Sequence, residues 1–199
     1  MSLQEILQNA AENEDDIENE DFSEDTAAGI GLYGTDIESS SFSGCRFREC
    51  TFERVYLKDI RFTGCDLSNI HLNECTLRQC IFEKCRITGG SFAESLIENC
   101  RFEGCTGAYA QFGGCSIKNT VYKGCHLTES AFTDAKLHSV TLSENDFTKS
   151  DFGGAELGAC NFSSSVIYGA RFTLSSLKGV TVNYEQAVEL AKLLGVKVT

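Results

Sequence analysis

All 11 cysteines of this chain fall at residue numbers divisible by five, and all 14 phenylalanines fall two residues past such a number. Helices repeat about every 3.6 residues and flat strands every 2.0, so the order must come from a unit of five residues. Taking the Phe/Leu position as the centre of each unit, 31 centres run from Leu32 to Val182 without a slip. Every one is Leu, Ile, Phe, Tyr or Val except Gly107. Two residues before each centre stands a second restricted class of Cys, Ser, Ala, Thr, Val, Ile or Gly, with Asn145 the one larger polar member. The remaining three positions carry nearly all the charged and amide side chains. Each unit therefore turns one large and one small residue inward and three outward. A single unit buries nothing, so the units must wind into coils that cover one another.

The number of sides per coil follows from the aromatic residues. Of the centres ending in 2, 12 of 16 are Phe or Tyr, against 2 of 15 of those ending in 7. Four sides per turn preserve that alternation and three scramble it. Four sides place Ile37, Leu57, Leu77, Ile97, Ile117, Leu137, Leu157 and Leu177 in one aliphatic ladder. Phe42, Phe62, Phe82, Phe102, Tyr122 and Phe162 stack on a neighbouring side, and Cys45, Cys65, Cys85, Cys105 and Cys125 stack in successive coils. Coils ~4.8 Å apart hold parallel Cβ vectors farther apart than the ~3.8 Å of a disulfide, so these thiols read as small packing groups. No CxxC occurs, the cysteine count is odd, and no secretory signal pattern opens the chain, which point to no metal site and to a reducing, cytoplasmic setting.

The unit, as in SGCRF, RECTF and TGCDLSN, resembles the pentapeptide-repeat family, whose unit is A(D/N)LXX. The resemblance spans residues 32–182 and implies an all-β, right-handed quadrilateral β-helix of nearly eight coils with a short C-terminal α-helix. We place the solenoid at residues 30–182. The inward sites before Ile17, Phe22 and Ala27 are Asp15, Glu20 and Asp25, and carboxylates facing an aromatic core are costly unless paired. Residues 1–29 are therefore expected to form a short helix (Leu3, Ile6, Leu7, Ala10) and a mobile acidic lead-in. An imperfect first coil is the alternative. At the other end, residues 183–199 predict a helix with Asn183 as N-cap, Gln186 as its capping-box partner and Gly195 as its stop, then a short strand from Val196 and Val198.

That tail, EQAVELAKLLGV, is similar to the C-terminal segment of the Qnr and MfpA fluoroquinolone-resistance members, bacterial proteins whose rods join end to end as homodimers. It implies an interface of Tyr184, Ala187, Leu190, Ala191, Leu193, Leu194, Val196 and Val198. The same resemblance implies a DNA-mimicking dimer that binds DNA gyrase or topoisomerase IV in place of duplex DNA and protects it from quinolones. Glu129, Asp134, Glu144, Asp146, Asp151 and Glu156, opposed in that stretch only by Lys136 and Lys149, are the candidate acidic surface. The alternative is a structural scaffold with an unrelated partner.

Charge and motif content exclude other classes. The net charge of −12 divides into −10 over residues 1–31, which hold ten acids and no Lys or Arg, and −2 over the rest, with 19 acids against 17 bases. With no basic stripe, direct nucleic-acid binding is disfavoured. No run is apolar enough to span a membrane. His71, His126 and His138 fall at outward positions in different coils, so no catalytic constellation, metal site or cofactor site is indicated. The break at Gly107 leaves a missing inward group: Tyr109 swings in to fill it, the backbone bulges there, or the site is a tolerated packing defect, with a kink or binding notch as the functional alternative.

Overall fold

The corner of each unit is where the five-residue period is made. In every unit from Glu14 to Gly154 the residue two past the centre has a left-handed backbone, with φ between 48° and 71°. That one residue turns the chain through a corner, and the next unit begins a new side. Twenty of these positions are not glycine, and each non-glycine residue there costs on the order of 1 kcal/mol. The strain persists because every side is held by ladders from above and below, as in Arg46 N–H to Asp25 O (2.9 Å) and Phe47 N–H to Asp66 O (2.9 Å).

The computed structural model describes residues 1–197. Its strands pair in parallel with a register shift of 20 residues, from Ile17 opposite Ile37 to Ile117 opposite Leu137. The result is a right-handed quadrilateral β-helix of about eight turns with a short C-terminal helix. We name the sides by their first centres: A from Ile17, B from Phe22, C from Ala27 and D from Leu32.

In-register stacking gives the core its order. Side A is aliphatic, buried from Ile17 to Leu157. On side B the rings of Phe22, Phe42, Phe62, Phe82, Phe102 and Tyr122 stack at 4.6–5.4 Å with interplanar angles of 1–18°. On side D, Phe92, Phe112, Phe132, Phe152 and Phe172 form a second stack at 4.8–5.1 Å. The two stacks meet edge to face across the interior, as for Phe82 and Phe92 (6.3 Å, 85°), the arrangement that ring quadrupoles favour. Leu142 interrupts the side B column, so Phe162 instead packs edge to face on Phe152 and Phe172.

The small inward positions do more than fill space. Cys65, Cys85, Cys105 and Cys125 each donate Sγ–H to the carbonyl 23 residues earlier, at 3.1–3.4 Å. Ser95 uses the same geometry with a stronger donor, giving Oγ–H to Leu72 O at 2.8 Å. Asn145 does so with its amide, donating to Tyr122 O (2.8 Å) and accepting from Cys125 N–H (2.9 Å). All 11 thiols are free and buried.

The first turn corrects the expected domain boundary. The solenoid begins at Ile17, not near Ile30: strands Ile17–Glu18, Asp21–Ser23 and Thr26–Ala28 pair with the turn above. The carboxylates of Asp15, Glu20 and Asp25 are tolerated because no preceding turn buries them; Asp15 is exposed and the other two half-buried. Helix α1 (Leu3–Asn13) covers this end instead, with Leu3, Leu7 and Ala10 buried against it. Asp25 Oδ2 accepts Leu3 N–H (2.7 Å), so it satisfies the start of α1. The amide of Gln4 pairs with the N–H and C=O of Ala28 (2.7 and 3.3 Å) and replaces part of the missing ladder.

The final turn departs from the sequence phase. Leu174–Gly179 forms turns, Ser176 is buried and Leu177 only half-buried, so the aliphatic ladder ends at Leu157. Helix α2 (Tyr184–Ala191) has the expected Asn183/Gln186 capping box and passes through a short 3-10 turn to Gly195 (φ 73°). Of the expected terminal strand, Val196 is irregular and Val198 lies outside the described residues. Gly107 draws in neither Tyr109 nor a backbone bulge. Its backbone keeps the ladder (Gly107 N–H to His126 O, 2.7 Å), and Tyr109 stays outside, half-exposed. Ile87 and Leu127 close the space from the turns below and above: a Cβ at Gly107 would lie 2.8 Å from each.

Candidate interaction surface

The outer faces hold the candidate function, because among the described residues the interior is packed with no chemistry addressed to a ligand. His71, His126 and His138 are exposed on separate turns, and no group of metal-ligating side chains is gathered among the described residues. Burial pushes the thiols of Cys75 and Cys115 up to about 12, which keeps them protonated and unreactive. Among the described residues no helix is long and apolar enough to cross a membrane.

The six acids proposed from the sequence do not share a face. Glu129 stands on the corner between sides C and D and Asp134 on the corner between D and A. Glu144 occupies the corner after side B, Asp146 lies on side C, Asp151 on side D and Glu156 on side A. Several are also occupied. Asp151 pairs with Arg171 and Glu156 with Lys136 (3.8 Å). Asp146 accepts Thr148 N–H (2.9 Å) within its own turn.

Counting charge by side shows where acid does accumulate. In the four turns between residues 75 and 154, with each corner assigned to the side it follows, side A carries Arg78, Lys118 and Lys136 against Glu98, or +2. Side B balances three bases against three acids, and side C two against two. Side D carries Glu94, Asp134 and Asp151 and no base, or −3. Its other outward residues are small or uncharged, so the face is flat and acidic. Glu94 escaped the sequence reading because the six acids were taken from one contiguous stretch. A count of every twentieth residue recovers it.

The proposed dimer segment is partly docked. Gln186 is the buried residue of α2; its Nε2 donates to Phe162 O (3.0 Å) and Ser165 O (2.6 Å), fixing the helix on the last turn. Leu190 packs partly against the core. Tyr184, Ala187, Leu193, Leu194 and Val196 are exposed, Ala191 half-buried, and Val198 lies outside the described residues. Tyr168 and Leu174 of the last turn are exposed as well (67% and 59%), so this end of the rod carries several exposed apolar side chains.

Comparison with known proteins agrees with the geometry. Residues 35–112 and 97–172 match the family model described as the pentapeptide repeat region. No curated protein matches the chain significantly. Among solved structures, the chain is similar to HetL, a pentapeptide repeat protein involved in heterocyst differentiation regulation in the cyanobacterium Nostoc (16% identity, 92% of this chain and 97% of that one, TM-score 0.41). It is also similar to full-length QnrB1, a plasmid-mediated fluoroquinolone resistance protein (18% identity, 91% and 100%, TM-score 0.34). A third is a pentapeptide repeat protein of the Arabidopsis thaliana thylakoid lumen (16% identity, 65% and 73%, TM-score 0.25). With the five-residue unit, the four-sided coil and the match to its model all in place, the chain belongs to the pentapeptide-repeat family.

Proposed function

We propose that this protein is a non-enzymatic interaction rod. Two copies join end to end through α2 and the residues after it, and an acidic side of the dimer occupies the DNA-binding surface of a type II topoisomerase, DNA gyrase or topoisomerase IV. In this role it limits quinolone damage to the enzyme. The observation that carries the reading is side D, three acids and no base over the four turns between residues 75 and 154, with Asp151 paired to Arg171 of the turn above. Such a side steers a basic saddle without binding nucleic acid itself. The exposed apolar side chains at this end supply the joint, and a closed two-fold pairing doubles the rod. The free buried thiols suit a reducing cytoplasm.

A scaffold for an unrelated partner is the second reading. It is favoured by the way surface charges pair off along the ladders, as in Lys58–Glu38 (2.9 Å) and Arg78–Glu98 (3.2 Å), and by the lack of net acid on sides A to C between residues 75 and 154. Supercoiling and quinolone-stabilised cleavage assays with gyrase separate the two. The topoisomerase reading expects the wild-type protein to inhibit or protect at micromolar concentration and E94Q/D134N/D151N to lose the effect. No effect of the wild-type protein rejects it.

A further inference from the structure

An arginine seat on this rod is already filled by the chain itself. Arg54 lies over the ring of Tyr33, its Cζ 5.7 Å from the ring centroid, and its Nη1 donates to Tyr33 Oη at 2.7 Å. From the turn above, Glu74 accepts Arg54 Nε–H at 2.9 Å. Tyr33 from the turn below and Glu74 from the turn above thus hold one guanidinium by its face and by its edge. The corner between sides C and D brings the same two residue types together without the cation, here on adjacent turns and bonded directly to each other. Tyr109 is 53% exposed, and its hydroxyl donates to Glu129 Oε1, one turn above, at 3.2 Å. Gln111 fixes the same corner by donating Nε2–H to Tyr109 O (2.8 Å). Glu129 has no ion-pair partner among the described residues. The base one turn up at the same corner, Lys149, has its stem against Gly169 and forms no ion pair among the described residues.

We propose that Tyr109 and Glu129 seat one arginine side chain of a protein partner that docks on side D. Arginine is the occupant because a guanidinium stacks on a ring while its edge donates to a carboxylate, which a lysine ammonium does with one function at a time. The neighbouring face supports this choice: beside the seat, side D offers Glu94 and Asp134, with Asp151 paired to Arg171 of the turn above. The proposal rests on side D being the partner-binding side, and it adds the residue type that the partner must present.

The test uses the full chain and tetra-arginine amide, with tetra-citrulline amide as the uncharged isostere, followed by NMR of the tyrosine rings and glutamate carboxyl carbons. Tetra-arginine is expected to move Tyr109 and Glu129 most, and tetra-citrulline to move neither. Tyr109→Asn, which keeps a residue suited to the left-handed corner, and Glu129→Gln are each expected to weaken binding about two- to fivefold. Shifts concentrated on the acidic first turn, with Tyr109 unmoved, overturn the seat, as does wild-type affinity in both variants. Gyrase assays keep the two readings apart. Inhibition that depends on Glu94, Asp134 and Asp151 but not on Tyr109 refutes the seat alone. Arginine binding at Tyr109 without any gyrase effect refutes the topoisomerase reading alone.

Discussion

Tyr122 is the one ring in the side B stack that carries a hydroxyl, and removing that oxygen should stabilise the protein. The residue is fully buried, 4.8 Å from Phe102 and nearly parallel to it (4°), with Phe112 and Phe132 edge-on at 6.0 and 6.3 Å. Its hydroxyl is the only buried side-chain polar atom without a hydrogen bond among the described residues. Burial, and behind it the neighbouring thiols of Cys115, Cys100, Cys125 and Cys105, hold its phenol well above the ordinary tyrosine range. An unmet buried hydroxyl costs about 1–3 kcal/mol. The void left by one oxygen returns roughly 0.3 kcal/mol of that, at ~24 cal/mol per Å³. Tyr122→Phe should therefore gain about 1 kcal/mol or more. That gain corresponds to roughly 2–4 °C in Tm for a chain of this length and about 0.4 M in urea midpoint. Far-UV circular dichroism in urea reads it, since the chain has no Trp. The reciprocal change Phe102→Tyr adds a second orphan and should cost at least as much. A loss of stability in Tyr122→Phe at unchanged m-value would refute the reasoning and mean that the hydroxyl has a partner.

Other consequences are as direct. Gly107→Leu restores the family pattern but drives atoms into Ile87 and Leu127, so it should lose at least 1–3 kcal/mol; a higher melting temperature would reject that packing account. Thiols raised to about 12 at Cys75, Cys85, Cys105 and Cys115 favour the protonated folded state. Their contribution is intact below the unfolded thiol range, near 9, and is lost as pH rises toward 12, at up to about 1.4 kcal/mol per pH unit for each thiol; urea titrations at pH 8, 9.5 and 11 should show a steep fall, and a flat profile contradicts it. Hydrogen bonds from Leu3 and Thr26 lower the Asp25 carboxyl. Its hold on α1 should be full above the ordinary aspartate range and fail as pH drops through the lowered value, and Asp25→Ala should speed proteolysis within residues 3–13 without melting the rod. Leu194→Glu, at a 64% exposed site, should leave the thermal melt unchanged and halve the mass seen in sedimentation; a persisting dimer moves the joint elsewhere.

The interior of the rod was legible because each inner position has a neighbour 20 residues before and another 20 after, so one packing rule acts along most of its length. The alternation of Phe and Leu centres required four sides, and the stacks of sides A and B follow it. Size alone, however, was a partial reading of the small positions. Ser95 and Asn145 share their sites with Cys because all three donate to the carbonyl of the turn below, a property that hydrophobicity does not show. Gly107 read as a hole because the side chains that close it, Ile87 and Leu127, come from other turns.

Where the coils start and stop was harder to read than the helices that cover them, for one physical reason. A terminal turn has a neighbour on one side only, so the rule for the middle does not bind there. Asp25 is forbidden in a buried turn and useful in the first one, where α1 supplies an N–H for it. The five-residue phase continues through Leu177, yet no regular turn lies above to enforce it. Local hydroxyl bonds take over instead: Thr173 Oγ1 meets Ser175 and Ser176, and Ser176 Oγ donates to Phe152 O (3.3 Å). The same asymmetry bears on function. Inward residues answer to their neighbours along the rod, whereas corner and side residues face solvent and are free to differ from turn to turn. Recognition must then be written in which side a charge occupies. Glu94, Asp134 and Asp151 are separated by 40 and 17 residues in sequence and belong to one acidic side only because a turn contains 20.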